Sequence, residues 1–234
     1  MIGKGILING LLTASMFGVS LWAMNLLAVD GQFASHFGWN GQADGFSSRA
    51  GILWMLPFLA LGLNLLFTVL PRLDPRRKNL LRSATPYLIA WVGTGLILLF
   101  VHSMLVLNAA GMIDIETASS GQDMIRWLAL FMGGFFAVLG SVLGKVRPNW
   151  FLGVRTPWTL SSDLSWDKTH RVTGYLFMAT GVFTVLIAVS PLSRWALAIL
   201  VAGTSIAAFW AIVYSWLVWK TDPARETLVP DEAE

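Results

Sequence analysis

Cysteine is absent from the chain, which excludes disulfides, thiolate metal sites and a cysteine nucleophile and leaves the redox compartment open. Charge is also scarce. Only 12% of the 234 residues are Asp, Glu, Lys or Arg, against roughly 25% in a soluble domain, while 56% are hydrophobic and the mean hydropathy is +0.66. Such a chain is an integral membrane protein. Its formal net charge of +3 is then no sign of nucleic-acid affinity, because cations on membrane proteins mark the cytoplasmic side. The sequence holds no convincing internal repeat, and His102 is the one ionisable residue placed well inside a hydrophobic run.

What is present is a set of long apolar runs. Crossing a bilayer takes roughly 20 residues, and six stretches qualify, near 6–29, 51–70, 86–109, 124–146, 172–191 and 195–219. Lys4 ahead of the first run suggests a signal peptide, but the run exceeds the roughly 7–15 residues of a signal core, so an uncleaved span is expected. Pro57 inside the second run and the recurrent glycines are tolerated in membrane helices. The expected fold is an all-α polytopic membrane helix bundle of about six transmembrane helices, with lipid as its surroundings. It divides into an N-terminal two-helix unit over 1–83, a four-helix region over 84–219 and a polar tail over 220–234.

The loops settle the orientation. Arg72, Arg76, Arg77, Lys78 and Arg82 lie between spans two and three, and Lys145, Arg147, Arg155, Lys168 and Arg171 between spans four and five. Lys4, Lys220 and Arg225 fall on the same side. The other side receives Arg49, Arg126 and Arg194 together with Asp30, Asp44, Asp114, Glu116 and Asp123. The positive-inside rule places both termini and the 147–171 loop in the cytoplasm.

That loop is the most informative stretch. It holds three Trp, two Pro, a Gly, two Asp, a His and four cations, far more than a connector needs. Pro148 and Pro157 forbid one continuous helix, so the part through Thr159 is expected to extend or turn. Ser161 and Ser162 are candidate N-caps for a following helix whose first turn Asp163 favours. On that helix Trp166 and His170 share a face at i,i+4, as do Asp167 and Arg171. The run Asn149-x-x-x-Gly153-x-Arg155-Thr156-Pro157-Trp158-Thr159-Leu160-Ser161, followed by Trp166-x-x-x-His170-Arg171, resembles the signature of the SdpI family. Its members are bacterial membrane proteins linked to immunity against a secreted toxin peptide and to signalling.

The first outward loop is the second such stretch. It runs from His36 through Asn40, Gly41, Asp44 and Gly45 to Arg49, and both Asn40-Gly41 and Asp44-Gly45 are turn signals. This loop is similar to the small domain of unknown function found at the N-terminus of SdpI-like proteins, where a His and a Gly-x-x-Asp-Gly run recur. That pattern often has a Pro just before the His, where this chain has Ala34-Ser35.

Each group has a chemical and a structural reading. His36 and Asp44 are either metal ligands or an acid–base pair, or they stabilise a compact turn at the bilayer surface. The turn is the expectation, with no metal site, because two ligands do not fill a coordination shell. His170 beside Asp163 and Asp167 invites hydrolytic chemistry, but no activated nucleophile stands out among Thr159, Ser161 and Ser162. No catalytic residue and no cofactor are expected. Arg155 either clamps a carboxylate or phosphate, pairs with Asp163 or Asp167, or meets anionic lipid heads. His102 is a functional candidate by position, with a neutral ring bonded to a neighbouring helix as the plainer case. Asn25, Asn64 and Asn108 are candidate interhelical hydrogen-bonders, and Gly140-x-x-x-Gly144 a candidate close-packing seam. Trp127, Trp150, Trp195, Trp216 and Trp219 sit near span ends, as interfacial anchors do.

The resemblance implies a non-enzymatic immunity or signal-transduction protein of a bacterial cytoplasmic membrane. Its partners would be an extracytoplasmic peptide toxin and a small cytoplasmic DNA-binding repressor held at the membrane, with no direct nucleic-acid contact by this chain. A small-solute transporter is the alternative, against which stand the lack of an intramembrane charged pair and of an inverted repeat.

Overall fold

The computed structural model describes residues 1–38, 41–115 and 118–225, with backbone alone for 118–122. Asn40 and Glu116 of the sequence reading lie outside these residues. Six helices are long and apolar enough to cross a membrane. They are α1 (Ile2–Ala23), α2 (Arg49–Leu73), α4 (Ala84–Ala109), α5 (Ala118–Leu143), α7 (Asp163–Ala188) and α8 (Ala196–Lys220), with short helices α3 (Arg77–Arg82) between α2 and α4 and α6 (Pro157–Leu160) between α5 and α7. The expected bundle is present. It has an addition the sequence reading lacked, an antiparallel hairpin of β1 (Gln32–Phe37) and β2 (Ala43–Ser48) between α1 and α2.

Helices α1, α2 and α4 pack together, and α5, α7 and α8 form a second group joined to the first mainly through α4 and α5. The first group is held by polar bonds that follow from its prolines. Pro57 and Pro71 lie inside α2 and have no N–H, so the carbonyls four residues back lose their helical donors. Those carbonyls belong to Leu53 and Phe67, and each is taken up from another helix. Ser20 Oγ on α1 donates to Leu53 O at 2.5 Å, and Tyr87 Oη on α4 donates to Phe67 O. With its proton spent on Leu53, Ser20 accepts from His102 Nε2 at 3.0 Å, and the same N–H also faces Met16 O at 3.2 Å. His102 is therefore the neutral Nε2–H tautomer, bonded to α1 as expected. Of the candidate interhelical asparagines, Asn64 Oδ1 is buried without a hydrogen-bond partner among the described residues, and Asn108 Oδ1 accepts from the Ile115 amide beyond the end of its own helix.

The second group is held by absence of side chains. A Cβ on Gly140 would lie 2.4 Å from Met178 N and 2.6 Å from Gly174 O, and one on Gly181 2.4 Å from Gly133 O and from Ala137 N. The α5 and α7 backbones thus touch along Gly133, Ala137 and Gly140 against Gly174 and Gly181, and at Gly144 the seam opens enough that a Cβ would meet Arg171 Cα at an ordinary 3.4 Å. Small residues let membrane helices approach in this way. Trp127, Trp150, Trp195 and Trp216 are exposed, Trp195 at the start of α8, Trp216 in its last turns and Trp150 in the loop after α5.

Two helix starts in the 147–171 loop have local causes. Helix α7 starts at Asp163, capped as expected by Ser162, whose Oγ accepts from the Ser165 amide at 2.9 Å, and it runs without a break into the apolar span expected from 172. The second half of the motif is thus the first turns of a membrane helix. The segment through Thr159 is not wholly extended. Pro157 sits at the first position of α6, where a missing N–H costs nothing, and Thr156 and Thr159 form a reciprocal capping box.

Candidate functional site

The 147–171 loop is tied in a knot whose centre is buried. Asn149 is fully buried and spends its whole amide. Nδ2 donates to Arg147 O (2.8 Å) and Leu152 O (3.0 Å), and Oδ1 accepts from the Phe151 and Leu152 amides (2.8 and 2.7 Å). Four bonds from one side chain hold a turn that ends at Gly153, whose φ is +108°. The glycine is required on a second count, because a Cβ there would lie 2.1 Å from His170 Nε2. That nitrogen accepts from the Val154 amide at 2.9 Å, while Nδ1 donates to Trp166 O at 2.8 Å. His170 is thus a neutral Nδ1–H ring, stacked on Trp166 with centroids 4.1 Å apart. Trp166 in turn donates Nε1 to Val146 O at 2.8 Å. Both faces of the i,i+4 pair are consumed by the fold, and His170 has no nitrogen left for a substrate or an anion.

The knot is clamped from both sides by residues the sequence reading passed over. Asp74 and Asp222 each follow the C-terminal end of a long apolar helix, α2 and α8, and each precede a proline. Each uses one oxygen on its own turn: Asp74 Oδ1 accepts from Arg76 N (2.7 Å) and Asp222 Oδ1 from Ala224 N (2.9 Å). The other oxygen takes the loop, Asp74 Oδ2 from Trp150 N (3.1 Å) and Asp222 Oδ2 from Ser162 Oγ (2.5 Å). Asn79 donates to Pro148 O, Ser83 Oγ accepts from Arg147 N, Thr156 Oγ1 meets Ser215 Oγ at 3.0 Å and Ser165 donates to Ser215 O. The available signal was the repeated Asp-Pro after a hydrophobic run, a pattern that favours turns closed by the aspartate.

Arg155, Pro157 and Arg171 remain exposed, with Trp158 half-buried. Arg155 Nη1 donates to Trp150 O at 2.6 Å, not to Asp163 or Asp167, and no ion pair joins Asp167 to Arg171 among the described residues. Exposed pairs of that kind are worth only about 0.3–0.5 kcal/mol, too little to hold the helix start against solvent. The cations on this face are thus left to solvent, lipid or a partner.

The Ser162 hydroxyl, then the Ala224 amide and the Arg225 charge hold the Asp222 carboxyl below its ordinary pKa. A carboxylate whose pKa is depressed by folding stabilises the fold above the unfolded value and loses that contribution as pH falls through the folded value. Acidification below the ordinary aspartate range is expected to free the end of α8 from the knot. A single cysteine at Ala224 reacts faster with a pH-insensitive thiol reagent such as a pyridyl disulfide as pH falls, and Asp222→Asn reacts at the fast rate throughout.

At the opposite end, the outward hairpin is shaped by two bulges. Ala34 faces Phe46 and His36 faces Gly45, leaving Ser35 unpaired; Phe37 then faces Ala43, leaving Asp44 unpaired. A bulge re-aims a side chain, and here Asp44 Oδ1 comes within 2.5 Å of His36 Nδ1 on an exposed face. Gly45 leaves room for that pair, since a Cβ there would stand 2.9 Å from His36 Cβ. Asp44-Gly45 is thus part of a bulged strand, not the turn its sequence suggests. The reversal lies between Gly38 and Gln42, whose backbones bond at 2.9 Å, and Gly41 has φ +77°. Arg49 is no part of this surface: it donates to Met24 O and ties the start of α2 to the end of α1.

Under the hairpin a mostly apolar cleft of about 580 Å³ opens among the outer ends of α4, α5 and α8. Among the described residues no group of three or more potential ligands gathers for a metal ion.

A family model for the SdpI/YfhL protein family matches residues 145–215, and a model described as a domain of unknown function, DUF1648, matches residues 11–61. Residues 145–215 are thus an SdpI-family region of a membrane protein, accompanied at residues 11–61 by that domain of unknown function. The SdpI match begins just before the knot, at Lys145, and ends at Ser215, the residue on α8 that bonds Thr156 and Ser165. The N-terminal match contains the hairpin with half of the helix on each side. No curated protein and no solved structure matches the chain. Together the two matched ranges take in both polar modules of this multi-pass membrane protein, one at each end of its bundle.

Proposed function

We propose that this protein confers immunity at a bacterial cytoplasmic membrane, recognising a toxic peptide on the outer face and signalling through a small DNA-binding repressor held at the inner face. The observation that carries the reading is the roofed cleft. A hairpin bearing the exposed His36–Asp44 pair stands over an apolar space of about 580 Å³, within the size range of ligand sites. Family membership supports an immunity role in general terms. The exposed cations around the knot suit an anionic surface on a cytoplasmic partner.

The protein is not an enzyme on this reading. Hydrolysis would need His170 as a base, and both of its nitrogens are engaged in the fold. Transport is also the weaker reading. The polar interior of α1, α2 and α4, lined by Asn9, Thr13, Asn64 and Trp91, encloses a void of only about 10 Å³, room for about one water.

The test uses the parent strain's own secretions. A deletion strain placed in conditioned medium of its parent is expected to lose viability. Re-expression of the protein, or protease digestion of the medium, restores growth. Equal survival of deletion and parent strains in undigested medium removes the immunity reading.

A further inference from the structure

The joint between α4 and α5 carries a second cavity, a groove of about 600 Å³ in which every lining residue is apolar. Leu88, Val92 and Leu96 form its α4 wall, and Leu130, Phe135 and Val138 its α5 wall. Leu96 and Val138 are exposed, so the groove opens on a surface that meets hydrocarbon in a membrane. Two glycines shape it. A Cβ on Gly93 would lie 2.1 Å from Phe135 Cε2, so that glycine admits the Phe135 ring, whereas Gly134 has nothing within 4 Å of its would-be Cβ and leaves the space open. From Leu88 to Leu96, and from Leu130 to Val138, is about 12 Å of helix rise, less than half of a hydrocarbon core about 30 Å thick. The groove therefore lies within one leaflet, on the half of the bundle that bears the knot. Beyond Leu96 the stacked rings of Phe100 and Phe131, centroids 5.4 Å apart, bridge the two helices and end it.

The knot-side end of this groove is basic. Ser83 Oγ accepts from the Arg147 amide and Asn79 donates to Pro148 O, which stitches the corner before α4 to the corner after α5. Arg82, the residue before Ser83, is thereby brought beside Arg147, with Lys145 in the same corner. All three cations are exposed, and among the described residues none has an ion-pair partner. The carboxylate of Asp74, which the same loop engages, is buried and spent on the Arg76 and Trp150 amides. From this juxtaposition we propose that the α4–α5 joint is a binding site for one anionic phospholipid. Its phosphate is bound by Arg82, Lys145 and Arg147, and one of its acyl chains lies in the groove as far as the Phe100–Phe131 stack. Guanidinium groups take phosphate oxygens through paired N–H bonds, and basic pockets between membrane helices bind acidic head groups. From Ser83 to Leu88, and from Val138 to Leu143, is only about 8 Å of rise, a gap that the glycerol backbone of the lipid bridges. A membrane helix of a second copy or of a partner would need a groove through both leaflets, and this one ends at the aromatic stack. The site goes beyond the immunity reading and does not depend on it.

The full chain, purified in a neutral detergent, is titrated with phosphatidylglycerol and with phosphatidylcholine of the same acyl chains, and bound lipid is counted by native mass spectrometry. One phosphatidylglycerol is expected to bind saturably, with half-saturation at least about ten-fold below that of phosphatidylcholine. Arg82→Gln, Lys145→Gln and Arg147→Gln together are expected to bring phosphatidylglycerol to the phosphatidylcholine value. Gly134→Leu keeps the cations but fills the groove, and is expected to weaken phosphatidylglycerol binding by about ten-fold or more; should that variant not accumulate, Leu96→Trp fills the same space from α4. Glycerol 3-phosphate, a head group without chains, is expected not to displace the lipid even in large excess. Equal binding of the two lipids, or binding that does not saturate, shows an ordinary lipid annulus and overturns the site. Unchanged phosphatidylglycerol binding in the groove-filled variant means that surface cations alone attract the lipid, and overturns the groove as its seat. Displacement by glycerol 3-phosphate makes the site one for a soluble anion and overturns the lipid as its ligand.

Discussion

Gly153→Ala is expected to cost about 2–6 kcal/mol and to strip most of the folded protein from the membrane. Two independent terms add. A side chain at φ +108° carries backbone strain on the order of 1–3 kcal/mol. The new Cβ would also stand 2.1 Å from His170 Nε2, and the ring has nowhere to go. Its Nδ1 is fixed to Trp166 O, its face is stacked on the indole, and that indole is pinned to Val146 O. The bond from Val154 to Nε2 must break, leaving a buried donor unpaired at a further cost of about 1–3 kcal/mol. Gly111→Ala supplies the comparison. Gly111 also has a left-handed φ, +69°, but open space where its Cβ would be. Thermal unfolding in detergent is therefore expected to fall far more for Gly153→Ala than for Gly111→Ala. Equal losses would mean that the His170 contact contributes nothing.

The same residues explain why the motif was legible as a site before its chemistry was. Rare residue types at fixed spacing mark a constraint, and Asn149, Gly153, Thr156, Thr159, Trp166 and His170 are constrained indeed. The constraint is internal. Every polar atom that Asn149 and His170 carry is spent inside the loop, a fact that spacing along one chain does not disclose. The clamps from Asp74 and Asp222 were invisible for a related reason: each looks like an ordinary turn residue until another part of the chain is brought to its second oxygen. What the sequence did expose is the set of leftovers, Arg155 and Arg171, which the knot leaves on its surface.

The six spans were legible because bilayer thickness imposes a length that hydropathy reports directly. The hairpin was not. Its strands are six residues each and broken by two bulges, so the period-2 pattern that announces a strand is lost after a few positions. Asp44-Gly45 reads as a turn in isolation, and only pairing with His36 turns it into a strand. The packing of the helices was half legible. Gly140-x-x-x-Gly144 pointed to a close seam, but the partner glycines on α7, Gly174 and Gly181, follow a seven-residue spacing and were not singled out.

That seam carries the second large effect. Gly140→Ala is expected to cost about 3 kcal/mol or more, because overpacking a tight contact already costs about 1–3 kcal/mol and here the obstacle is backbone. The new methyl would meet Met178 N at 2.4 Å and Gly174 O at 2.6 Å, atoms that no rotamer can move, so α5 and α7 must part along their length. Gly134, on the same helix, has nothing within 4 Å of its would-be Cβ. There alanine only improves helix propensity, by roughly 0.5–1 kcal/mol. The two substitutions add the same methyl group to the same helix and are expected to shift unfolding temperature in opposite directions. Parting the seam also reaches both modules. At its C-terminal end α5 gives way to Val146, whose carbonyl holds Trp166, and at its N-terminal end Ile125 and Leu128 wall the cleft. Gly140→Ala should therefore expose cysteines placed at Thr169 in the knot and at Leu128 in the cleft together. Exposure of one position without the other would mean that the α5–α7 seam does not tie the two ends of the protein to each other.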